Sequence, residues 1–172
     1  MTSRGDFTDG EWARLGRAPL LAGLAISLSD PGGPIELVKE SGAALKTVLE
    51  AAREGSFGQF VQSVADDVAA KAQQRENPLA GFAPDRRRAR EEIIDELRSV
   101  HALLVEKAGP EDVEEFREWV RMASQRAALA VKEGGFLGIG GTRVSEREEQ
   151  MLETLGEVFG VPRDTPPGSA ER

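Results

Sequence analysis

The chain has 172 residues, about one domain's worth, and a hydrophobic share of 40% that suffices for a buried core. Its formal net charge of −8 argues against a dedicated nucleic-acid binder, because neutralising phosphates needs clustered cations. The absence of cysteine rules out disulfides, thiolate metal sites and a cysteine nucleophile together.

Residues 1–7 read as a disordered N-terminus without the apolar core of a secretory signal. The longest strongly apolar stretch, Ala18 to Leu28, falls far short of the ~20 residues a membrane span requires. A cytoplasmic protein is expected, with room for peripheral association at a membrane. Thr8-Asp9-Gly10-Glu11 has the spacing of a capping box, which opens a short helix expected to break near Pro19. A second segment, Leu20 to Leu28, is apolar nearly all round and reads as the most buried piece. Ser29 to Pro34 is a turn by composition.

From Ile35 the apolar residues Val38, Leu45, Leu49 and Ala52 recur at helical spacing, with Gly55 as the stop. A fourth helix is expected from about Ser56, with Phe57, Phe60, Val61, Val64 and Val68 inward. Asp85 is the expected cap of a fifth, whose stripe is Ile93, Leu97, Val100 and Leu104 with Ile94 and His101 adjoining. Gly109-Pro110 ends it and starts a sixth, striped by Val113, Phe116, Val120, Ala123, Ala127 and Ala130 and widened by Trp119 and Met122. Ser145-Glu146-Arg147-Glu148 is a second capping box, opening a last helix through Phe159. No strand alternation of useful length occurs. The prediction is an all-α, single-domain compact bundle of six to seven helices over 8–161, with a Gly-rich loop at 134–143 and a disordered tail at 162–172.

That loop carries Gly134, Gly135, Gly138, Gly140 and Gly141 within eight residues, although glycine forfeits the most backbone entropy on folding. Three readings compete. Its backbone N–H groups could cradle a phosphate, but the spacing fits neither common phosphate-loop pattern, and Glu146, Glu148 and Glu149 follow closely. Phe136, Leu137 and Ile139 could instead form an exposed apolar patch for a protein or membrane partner. Or they fold back onto the bundle, and the glycines shape the return.

Arg86, Arg87, Arg88 and Arg90 form the one basic cluster. It suits either docking on an acidic partner or anionic headgroups, or local pairing of Arg87 with Glu91 and Arg88 with Glu92. Asp30, Glu36, Glu146 and Glu149 could together take a hard cation, Mg²⁺ or Ca²⁺; the alternative is that such acids cap helices. His101 is the only histidine and has no carboxylate three or four residues before it, so an E-x-x-H iron motif is missing. With no G-x-S-x-G either, nucleophilic catalysis has no recognisable machinery.

Two stretches, LLAGLAISLSDPGGPIELVKE (Leu20 to Glu40) and TRVSEREEQMLETLGEVFGV (Thr142 to Val161), resemble the tellurite-resistance TerB-like helical family. The resemblance rests on an apolar helix, an acid-glycine turn and an acidic helix start. Asp30, Gly32, Ile35 and Glu36 match the family's turn with Pro31 and Gly33 intervening, and Glu146 and Glu149 correspond to its C-terminal acids. It implies an all-α fold of around seven helices with a cation-binding acidic surface, tied to stress response at the membrane.

The leading expectation is a non-enzymatic interaction module that docks a protein or membrane surface through the Gly-rich loop, with self-association left open. The rival is a divalent-cation-binding stress-response module. The third is an enzyme acting on a phosphorylated small molecule at the glycine turn, with Lys132 or Arg143.

Overall fold

Thr8 and Glu11 cap each other as their spacing predicts. The Glu11 N–H donates to Thr8 Oγ1 at 3.3 Å, and the Thr8 N–H donates to Glu11 Oε2 at 2.7 Å. A helix, α1 (Asp9–Ser27), follows and runs unbroken through Pro19. The expected break does not occur. A proline inside a helix costs about 3 kcal/mol. Against that, α1 buries Leu15, Leu20, Leu21 and Ile26, each contributing roughly 1.5–3 kcal/mol. Packed against all five other helices, α1 is the centre of the fold, and burial outweighs the local penalty.

These observations come from a computed structural model, which describes residues 1–29, 42–85, 87–133 and 145–159, without the side chains of 42–43 and 128–133. Five further helices complete the described chain: α2 (Gly42–Glu54), α3 (Gln59–Gln73), α4 (Ala89–Lys107), α5 (Pro110–Glu133) and α6 (Glu146–Phe159). The described residues contain no strand, so the all-α class holds. The helix expected from Ile35 is described from Gly42 onward.

Two helix starts shift from the expected residue. Ser56 lies at φ 51 in the turn, and the cap of α3 is Gly58, whose N–H donates to the Glu115 carboxylate at 2.8 Å. A Cβ at this position would stand 2.8 Å from that same oxygen, so a larger residue here would require the Glu115 carboxylate to shift. Asp85 does not cap α4. Its carboxylate accepts the Arg87 N–H at 2.8 Å in a local turn, and the helix begins after Arg88.

Residues 1–7 are ordered, contrary to the expected disorder. Arg4–Asp6 form a 3-10 turn, and Phe7 is buried against Trp12 and Phe60. The Thr2 hydroxyl donates to Asp112 and accepts the Gly109 N–H at 2.9 Å, which ties this segment to the α4–α5 turn. An apolar anchor at Phe7 and a buried hydroxyl at Thr2 together overcome the entropy that usually frees a terminus.

The core is one continuous cluster to which every helix contributes. Its aromatic spine runs Phe7–Phe60–Phe116–Trp119 at centroid separations of 5.5–6.1 Å, with Trp12 edge-on to Phe60. The Trp119 indole N–H donates to the Val48 carbonyl at 3.0 Å and fixes α2 on α5.

Pairwise contacts set the helix directions. Glu11 meets Lys107 while Arg17 meets Glu96, so α1 and α4 are antiparallel. Thr2 and Asp112 meet at the start of α5, whereas a Cβ on Gly23 would lie 3.2 Å from Ala127, so α1 and α5 run together. The start of α4 and the ends of α1 and α5 therefore share one end of the bundle.

Candidate functional site

Of the candidate residues, the described arginines of α4 lie at that shared end. Arg87, Arg88 and Arg90 surround the first turn of α4, and all three are exposed. Arg88 Nε pairs with Glu91 at 3.5 Å, three residues on, rather than with Glu92. The Glu92 carboxylate instead accepts the Asp85 N–H at 3.2 Å and steadies the approach to the helix. Exposed pairs of this kind contribute at most about 1 kcal/mol, so the guanidinium groups are available to a partner at little cost. At the same end the chain leaves α5 at Glu133 and enters residues 134–144.

Several expected site residues lie outside the described residues: Arg86, the loop glycines Gly134, Gly135, Gly138, Gly140 and Gly141, and Phe136, Leu137 and Ile139. So do Asp30 and Glu36, in the segment that follows the end of α1. Of the acidic set, Glu146 and Glu149 are described. Both are exposed on the first turn of α6 and, three residues apart, share a face. Glu148 between them is buried and occupied. Its carboxylate accepts the Ser145 N–H at 2.8 Å, and its own N–H donates to Ser145 Oγ at 3.2 Å, closing the second capping box. Among the described residues no three metal-ligating side chains converge.

Two polar constellations escape the sequence reading. The first joins α1 to α4. Arg14 grips Glu96 through two bonds of 2.9 Å and donates to Ser99, while Arg17 donates to Glu96 at 3.0 Å and to the Ala80 carbonyl at 2.8 Å. Burial raises the Glu96 carboxyl's pKa, but the two guanidiniums more than offset this and hold it below its ordinary value. Arg17 is buried, and its guanidinium also lies over the Phe82 ring. The cluster straps the α3–α4 connection onto α1, with both terminal nitrogens of Arg17 spent on Glu96 and Ala80. The signal for it was an arginine inside the apolar run Leu15 to Ile26.

The second constellation is at His101. Its Nε2 sits 3.3 Å from Arg117 Nη2 of α5, and its ring meets Phe159 of α6 edge-on at 5.8 Å. A neighbouring cation can only donate, so the imidazole is neutral and accepts at Nε2. Desolvation and the Arg117 charge both hold its pKa below the ordinary histidine value, against a smaller opposing pull from Glu114.

Compared with known proteins, the chain matches no family model, no curated protein and no solved structure. No described helix is long and apolar enough to cross a membrane.

Proposed function

We propose that this protein is a non-enzymatic interaction module, docking a protein or membrane surface through Phe136, Leu137 and Ile139 of the Gly-rich segment. The observation that carries this reading is topological. α5 and α6, which bound the segment, are both seated in the core, so its two ends are tethered to a folded support. The exposed arginines of α4 stand at the end where the segment begins, so apolar contact and positive charge lie within reach of one docking partner. Tethering limits the ordering cost of docking, and each apolar side chain buried there contributes roughly 1.5–3 kcal/mol before that cost.

A photo-crosslinking side chain placed at Leu137 tests the proposal in cells. Adducts to another protein or to lipid are expected, and the adduct's mass separates the two kinds of partner. Adducts confined to this chain's own bundle would overturn it. The TerB-like cation reading remains the alternative because Glu146 and Glu149 share an exposed face. It predicts that Mg²⁺ or Ca²⁺ raises the melting temperature after chelation, and that Gln at both positions removes the rise.

A further inference from the structure

His101 supplies a feature that the docking proposal neither uses nor requires. Three helices meet at its ring: α4 carries it, α5 offers Arg117, and α6 ends on it with Phe159. Among the described residues His101 Nδ1 and Arg117 Nε, both buried, find no hydrogen-bond partner, so no described group offers the junction an acceptor for a further proton.

We infer that the His101–Arg117–Phe159 junction is an acid-sensitive latch that holds the C-terminal end of α6 on the bundle. A proton on Nε2 turns the acceptor facing Arg117 into a donor and sets two cations in direct contact in a partly desolvated site. The surrounding charges do not cancel this. Glu114 of α5 is already paired with Arg117. On α4, Arg98 is turned to Asp95, and Lys107 to Glu11 of α1. From α6 the ring meets Phe159, while Glu157 in the same turn is exposed. The response with least loss is for the ring to leave the junction, taking away the edge-on ring contact that helps seat Phe159 in the core.

The sign follows from linkage. The neutral form is favoured in the folded state, so the latch is fully closed above the unfolded value of about 6.5 and weakens as pH falls below it. In the window between the unfolded and folded values, opening increases by up to about tenfold per pH unit.

Because His101 is the sole histidine, its NMR titration is unambiguous. Hydrogen exchange of the α6 amides, corrected for the intrinsic effect of pH, should show faster opening at pH 5 than at pH 7.5 in the full chain, while the α1 amides stay protected. His101→Gln should abolish that difference. Arg117→Met, which keeps the aliphatic stem and removes the charge, should raise the His101 pKa and shrink the pH effect on α6. Equal α6 protection at both pH values, or a His101 titration that Arg117→Met leaves unmoved, would overturn the latch.

Discussion

Arg17 shows what a single charged residue does inside an apolar helix. Its guanidinium is tolerated at near-complete burial because Glu96, the Ala80 carbonyl and the Phe82 ring surround it. Glu96 is the shared partner, so Glu96→Ala should strand two cations at once and cost about 3 kcal/mol in denaturant unfolding. A loss below about 1 kcal/mol would mean that water already screens the cluster. Glu11 supplies an acid-range counterpart. The hydrogen bond from Lys107, with the Thr8 backbone bond second, lowers its pKa from 4.5 to about 2. A depressed carboxylate stabilises the fold above its unfolded value and loses that contribution as pH falls through the folded one. Melting curves of wild type and Glu11→Gln should therefore differ near neutrality and converge as pH drops from 4.5 towards 2. Parallel curves throughout would remove the ion pair from the account.

At the level of elements, α1 offers two glycines with opposite expectations. A Cβ at Gly10 meets nothing within 4 Å, whereas one at Gly16 would stand 2.8 Å from Val68 Cγ2 of α3. Gly10→Ala should stabilise by up to about 1 kcal/mol through helix propensity. Gly16→Ala gains the same propensity but overpacks the α1–α3 contact, with a net loss of about 1–3 kcal/mol. Thermal melts of the two variants decide the matter, and equal shifts would show that α3 yields easily. Pro19 teaches the same lesson in reverse. Its local instruction to stop the helix is overruled because every side of α1 is packed, a condition that no nearest-neighbour signal encodes.

For the whole molecule, helix direction decides which surfaces come together. The antiparallel α1–α4 pair and the parallel α1–α5 pair bring Arg87, Arg88 and Arg90 to the end where the Gly-rich segment leaves α5. Replacing Phe136, Leu137 and Ile139 together by serine should leave helicity and melting temperature unchanged while abolishing partner capture. A melting temperature lower by several degrees would instead make these residues part of the core. The same end of the bundle also receives the end of α1, and with it the approach to Asp30 and Glu36.

Periodicity and punctuation were enough to read the helical class, the inward faces of α3, α4 and α5, and the capping boxes at Thr8 and Ser145, because these depend on residues within four positions of each other. The candidate docking residues were legible as composition: glycines, three large apolar side chains and a run of arginines. Tertiary structure alone decided that Pro19 lies within a helix, that residues 1–7 are held by Thr2 and Phe7, and that Gly58 rather than Ser56 starts α3. It alone paired Arg14 and Arg17 with Glu96, and His101 with Arg117. The Arg–Glu pairs join residues about eighty positions apart, and the His–Arg pair joins two helices across a turn. Contacts of that kind arise only after the helices have packed, and local sequence pattern carries no record of them.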